Sequence, residues 1–240
     1  MTSHPPVSAV IFDFGGTLAD IVPTHQWLFI RACQELGLDI EPQRVYDAES
    51  VGWEPYMTPL GPAHEEASAS PEAFATFKAT LLRDRLAAAG VDGSHDVLQA
   101  AAARIYELDT DPGMYRLYDD TLPLLDELRR RGIAMGILSN HEWYLPDLID
   151  GLDLTRYMVT TVTSARVGFR KPHPRMFEAV CAEMAISPAQ ALMVGDSVSA
   201  DIRGAQGVGM RPVYLARDLA KPALEGVPTV RSLTSVLDFV

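Results

Sequence analysis

Two cysteines in 240 residues, Cys33 and Cys181, are too few for a disulfide framework or a cysteine-built metal knot. They fall in separate helical patterns and read as buried, reduced thiols. Long apolar runs are missing too: no segment approaches the roughly 20 residues that cross a bilayer. Met1 to Pro6 lacks the basic, then apolar, then small-residue order of a signal peptide, so a cytoplasmic soluble protein is expected. Basic residues are scarce, 20 Lys+Arg against 32 Asp+Glu, for a net charge of −12. That balance works against nucleic acid and anionic membrane as partners. It does not exclude a small anionic substrate, which meets only the local field. Internal repeats and low-complexity tracts are absent.

What is present is an alternation of short apolar runs with helical patterns. Residues 7–12 read as a first strand. Thr24 then resembles an N-cap, with Trp27, Leu28, Cys33 and Leu36 as an apolar stripe ending at Gly37. A loop-like stretch from Gly52 to Ser70 is broken by Pro55, Pro59 and Pro62. Ser70-Pro71-Glu72 opens another helix in cap-then-proline order, and residues 96–106 carry a further helical run. Beyond Gly113 the pattern changes to helix Leu122 to Arg131, strand Ile133 to Leu138, helix 141–150 and strand Tyr157 to Val162. Helix Arg175 to Met184, strand Ala191 to Val194, helix Ala200 to Gln206 and strand Pro212 to Leu215 complete it. Strands alternating with helices predict an α/β fold, a Rossmann-like, doubly wound parallel sheet. Because one strand precedes the helical block and the others follow it, the block reads as an insertion. The expected division is a core of residues 1–19 and 113–240 with an α-helical cap domain of residues 20–112.

Four chemistry-bearing pieces follow strands: Asp13 with Gly15-Gly16-Thr17, Ser139-Asn140, Lys171 in a run with Pro172 and Pro174, and Gly195-Asp196-Ser197 with Asp201 beyond. A parallel sheet carries strand ends to one edge, so these groups are able to meet although distant in sequence. Each has a plainer account. Ser139 with Glu142 fits a capping box, Lys171 fits a surface lysine, and Asp196 and Asp201 fit solvated turn and helix positions. Together they say more. Asp13 and Asp196 at neighbouring strand ends repel unless a cation lies between them, and hard oxygen donors suit Mg²⁺. A phosphoryl group would then be held by Mg²⁺, Lys171, Ser139 and backbone amides, facing Asp13 as nucleophile.

With these four ordered motifs the chain resembles the haloacid dehalogenase-like hydrolase superfamily, in the branch with a helical cap inserted after the first motif. The resemblance covers nearly the whole chain. It implies phosphatase chemistry on a small phosphorylated metabolite, with Asp13 phosphorylated. It further implies Mg²⁺ held by Asp13, the Gly15 carbonyl and Asp196, with Asp201 and Ser197 in support. Ser139, Asn140, Lys171 and Gly16 would surround the phosphoryl group. The chain departs from the family pattern at Gly15, where phosphatases of this kind usually carry a second aspartate as acid and base. Such a group contributes about 10²–10⁴-fold, so slow turnover with an accumulating aspartyl-phosphate is expected. Asp20, His25 and His64 are candidate substitutes, and Trp53, Tyr56 and Met57 are candidate pocket residues. Alternative readings are a metal-independent 2-haloacid dehalogenase and a catalytically weak phosphate-ligand-binding protein.

Overall fold

Every residue of β1 (Ala9–Phe12) is buried, as a continuous apolar run with no polar alternation requires of a strand covered on both faces. The computed structural model describes residues 6–48 and 66–240. The first strand pairs in parallel with β4 (Ala134–Ser139) on one side and β6 (Ala191–Gly195) on the other. Outward from these lie β5 (Thr160–Thr163) and β7 (Arg211–Leu215), and β8 (Thr229–Val230) ends the sheet, in the order β5-β4-β1-β6-β7-β8. All five pairings are parallel. Strand order runs away from β1 in both directions, so β1 lies at the topological switch point. Open α/β sheets bind ligands at the carboxyl edge there. The α/β, Rossmann-like expectation holds.

The chain divides into two compact units, one of Met1–Asp20 with Arg116–Val240 and the other of Ile21–Tyr115. The first contains the six-stranded sheet. Its helices are α5 (Thr121–Arg130), α6 (Leu145–Gly151), α7 (Ser164–Val167), α8 (Pro174–Glu183) and α9 (Gly204–Gly207). A π-helical stretch, Val198–Arg203, runs directly into α9. One face of the sheet packs Ile11, Leu138 and Met193 against Met176, Phe177 and Val180 of α8.

The second unit is built on α1 (His25–Glu35), α2 (Pro42–Asp47), α3 (Pro71–Ala88) and α4 (His95–Thr110). Thr24 and Ser70 cap α1 and α3 through their hydroxyl oxygens, as their positions predict. Leu28, Phe29, Leu82, Leu86 and Ile105 form its core. The all-helical reading of residues 20–112 needs one correction at its edge. A strand β2 (Ala19–Ile21) pairs with β3 (Tyr115–Leu117), and three residues are too few to leave a period in the sequence. Cys33 and Cys181 are both free and buried, and burial pushes each thiol up to about 11.

Gly204 is closely packed near the sheet edge: a Cβ there would lie 2.5 Å from Phe177 Cζ and 3.1 Å from Pro172 Cα. Gly204→Ala is therefore expected to cost about 1–3 kcal/mol of stability through overpacking, read as a lower urea midpoint. A midpoint equal to the parent's would mean that α8 yields without strain.

Candidate active site

Beyond Phe12 the chain curls back on itself. The Phe14 carbonyl accepts the amides of Thr17, Leu18 and Ala19, and the Gly16 amide donates to the Ala19 carbonyl at 3.0 Å. Gly16 has φ +72°, and a Cβ on it would sit 3.0 Å from the Asp196 carboxylate, so glycine is required there. Gly15 differs: it carries no positive φ, and nothing lies within 4 Å of a Cβ built on it. The missing side chain at 15 is a chemical absence without a steric cause. The loop is held from outside as well. Thr121 Oγ1 donates to the Leu18 carbonyl at 2.7 Å, and Arg217 donates to the Thr17 carbonyl at 2.8 Å.

Asp13 stands where this loop leaves β1, its amide donating to the Val194 carbonyl. Three donors reach Oδ1: the Phe14 amide at 2.7 Å, Ser139 Oγ at 2.7 Å and Lys171 Nζ at 3.0 Å. No described residue donates to Oδ2. Ser139 ends β4, and the capping-box alternative does not hold, because the hydroxyl turns to Asp13 and α6 begins only at Leu145. Asn140 clamps the lysine backbone, its Oδ1 accepting the Lys171 amide at 2.6 Å and its Nδ2 donating to the Lys171 carbonyl at 3.0 Å. With both ends of its main chain fixed, Lys171 aims its ammonium at two carboxylates, Asp13 and Asp201, the latter at 2.6 Å. The lysine and Asp201 side chains are almost wholly buried, at 1% and 0% exposure. Burial works against the lysine's charge, but Asp13 and Asp201 outweigh it and raise its pKa.

Asp196 follows β6, and Asp201 lies within the next helical stretch. Ser197 connects them, its amide donating to Asp201 Oδ2 at 3.0 Å while its hydroxyl accepts the Ala200 amide. Carboxylate oxygens of Asp13, Asp196 and Asp201 lie within 4.8 Å of one another. One lysine does not neutralise three acids. Burial and the charge of Asp13 raise Asp196. Burial first, then Asp13, pushes Asp201 up to about 7 despite Lys171 and the Ser197 amide. Hard oxygen donors lacking countercharge fit a divalent cation such as Mg²⁺, and Asp13 and Asp196 are the better placed because Asp201 already accepts from Lys171 and Ser197. Among the described residues, Lys221 also approaches the group, its Nζ 3.7 Å from Asp196 Oδ2.

Asp13, Ser139, Asn140, Lys171, Asp196, Ser197 and Asp201 thus gather at one sheet edge, with Gly15 and Gly16 in the adjoining loop. Among the acid–base candidates, Asp20 Oδ2 accepts the Tyr118 hydroxyl at 3.1 Å. His25 belongs to the helical unit, where Nε2 lies 3.8 Å from Asp109. His64, Trp53, Tyr56 and Met57 lie outside the described residues. Sequence reading missed Tyr118, Asp120 and Arg217. Arg217 grips Asp120 with two hydrogen bonds, at 2.9 and 3.0 Å, and its guanidinium lies 3.8 Å over the Tyr118 ring. Burial opposes the charge of Asp120, yet Arg217, the Leu233 amide and Ser232 together hold its pKa below the ordinary carboxylate value. Polar pairs this far apart in sequence leave no local signal.

Residues 7–209 match the family profile of haloacid dehalogenase-like hydrolases. The chain is similar to a phosphoserine phosphatase from Thermus thermophilus, 31% identical over 195 residues, covering 77% of this chain and 73% of that protein. It is also similar to a phosphoglycolate phosphatase from Shigella boydii, 26% identical over 237 residues, covering 92% and 89%. Among solved structures, a HAD phosphatase from Thermococcus onnurineus superposes with TM-score 0.64 at 23% identity, covering 97% of each chain, which supports the fold.

Proposed function

The chain belongs to the haloacid dehalogenase-like hydrolase family, and on that footing we propose that it is a Mg²⁺-assisted phosphatase of small phosphorylated metabolites acting through an aspartyl-phosphate on Asp13. The observation that carries this reading is the asymmetry of Asp13: three donors fix Oδ1, and none of the described residues occupies Oδ2. An oriented carboxylate with one open oxygen suits in-line attack on phosphorus. Oδ2 forms the new bond to phosphorus as the ester oxygen leaves. Water then attacks phosphorus, and cleavage of the Asp13–phosphorus bond restores the carboxylate. Lys171 and Ser139 steady the charge that builds on the phosphoryl oxygens, and Asn140 keeps Lys171 aimed. Asp13, the Gly15 carbonyl and Asp196 would hold Mg²⁺, with Asp201 and Ser197 in support. When bound, the ion supplies positive charge to the phosphoryl oxygens. The sheet-bearing unit is the catalytic core in this reading, and the helical unit is a cap that selects substrate. Relatives named for phosphoserine and phosphoglycolate support a small, acidic phosphate ester.

A phosphate-release screen over sugar, nucleotide, glycolate, acyl and aryl phosphates, with and without Mg²⁺, tests the reading. Metal-dependent release that disappears in Asp13→Asn is the expected result. Halide release without metal would instead mark a dehalogenase, and phosphate binding with no turnover would mark a sensor.

Two further results are expected. Mg²⁺ at about 100 times its Kd should stabilise the protein by about 2.7 kcal/mol through linkage. Asp196→Asn should remove most of that gain in a thermal scan, and an equal gain in the variant would move the metal elsewhere. Gly15→Asp introduces a carboxylate where a Cβ meets no atom within 4 Å. With no other proton-transferring group at the site, it should raise kcat on alkyl phosphates by about tenfold or more, given the size of acid–base effects. An unchanged kcat would mean that another residue already transfers the proton.

A further inference from the structure

Position 15 offers no proton-transferring group, and the loop that contains it doubles back against it. Gly15 pairs with Ala19 as an isolated β-bridge, and the Gly16 amide donates to the Ala19 carbonyl. The next residue, Asp20, therefore emerges beside the vacant position while remaining exposed to solvent. Its Oδ2 accepts the Tyr118 hydroxyl at 3.1 Å. Tyr118 is itself pinned, its amide donating to the Leu18 carbonyl at 3.1 Å and its ring lying under the Arg217 guanidinium at 3.8 Å. Arg217 is anchored in turn by Asp120 and by the Thr17 carbonyl of the same loop.

We infer that Asp20, oriented by Tyr118, is the proton-transferring residue of this site and takes the place that Gly15 leaves vacant. The inference rests on the phosphatase reading above. In the first half-reaction the bond from Asp13 Oδ2 to phosphorus forms, the bond from phosphorus to the ester oxygen breaks, and that oxygen takes the Asp20 proton. In the second, water attacks phosphorus and gives a proton to the Asp20 carboxylate, while the Asp13–phosphorus bond breaks and inorganic phosphate leaves. Asp20 ends protonated, ready for the next ester, and the sum is ester plus water to alcohol plus phosphate. Tyr118 is a positioning residue: burial first, then the charge of Asp20, pushes its phenol up to about 12, so it remains a hydrogen-bond donor throughout. The charge of Asp196 raises that phenol further.

The test uses p-nitrophenyl phosphate, whose leaving group needs no proton, so that the second half-reaction is read by itself. Asp20→Asn should lower kcat by about tenfold or more, within the range for loss of a general base. It should also raise the steady-state fraction of acid-quenched phosphoenzyme and leave inorganic phosphate binding unchanged. Tyr118→Phe, which keeps the ring under Arg217, should lower kcat severalfold with little change in KM. Adding Gly15→Asp to Asp20→Asn should restore turnover, a rescue that a merely structural role for Asp20 would not produce. Parent-like kcat and phosphoenzyme level in Asp20→Asn would overturn the inference, as would failure of the Gly15→Asp rescue. Asp13→Asn separates the two readings. If phosphate release survives that substitution, the phosphatase reading and this inference both fall. If release requires Asp13 but ignores Asp20, only this inference falls.

Discussion

Lys171→Met should cost the protein about 3–5 kcal/mol, because removing one member of a buried ion cluster leaves its partners charged and unpaired. The side chain is 1% exposed and holds Asp201, at 0%, and Asp13. Methionine approximates the lysine stem in volume, so lost packing is a small part of the effect. The deficit should depend on pH with a definite sign. Asp201, already raised to about 7 by burial and Asp13, loses the ammonium that holds it down, so its folded-state pKa climbs further above the unfolded value of about 3.9. The folded form then binds more protons than the unfolded one between those two values. Stability is therefore greatest at acid pH and falls as pH rises through the folded pKa. Urea melts of parent and variant across that range measure the difference. Adding Asp201→Asn should return part of the loss. A variant as stable as the parent at neutral pH would mean that water reaches the cluster and that its burial is not maintained.

Asp13→Asn is expected to behave in the opposite way. Turnover should fall by about 10⁴-fold or more, the scale on which loss of a covalent nucleophile is felt. Stability should hold or rise by about 1 kcal/mol, since one of three mutually repelling carboxylates has become neutral while Lys171 keeps Asp201. Initial rates and urea midpoints on one preparation give both numbers. Residual activity above about 1% of the parent would place the attacking group elsewhere. A stability loss comparable to that of Lys171→Met would make Asp13 chiefly the lysine's structural partner. Read side by side, the two variants distinguish a carboxylate retained for chemistry from a lysine retained for chemistry and folding together.

The parts legible in the sequence are those in which a buried strand ends in a polar residue. Asp13, Ser139 and Asp196 each follow an apolar run, and parallel pairing of those runs is enough to bring them to one edge. Lys171 was legible through its prolines and Asn140 through its neighbour. Local pattern failed where a distant partner overruled it. Ser139 and Glu142 have capping-box spacing, but the hydroxyl found a carboxylate 126 positions away. Tyr157 reads as part of a strand, yet it lies in a 3₁₀ turn with its hydroxyl on Asp126, and the strand starts at Thr160. The Asp20–Tyr118 and Asp120–Arg217 pairs join residues 98 and 97 positions apart, and single polar residues carry no periodicity that would announce such a meeting. The Gly15 substitution was visible at once. Its freedom from steric cause is a property of the surrounding space, which local sequence does not encode.

The parallel order of the sheet also dictates when the acidic edge comes into being. A ribosome delivers Asp13 first and Asp201 almost last, with each intervening strand added on the far side of a crossover. Until the segment through Asp201 has emerged, the lysine has only half of its ion pairs and the nascent sheet lacks β6 on one flank of β1. A chain halted before that point therefore carries Asp13 with its donors Ser139 and Lys171 but without Asp201, so the acidic edge is completed only as the last third of the sheet is laid down.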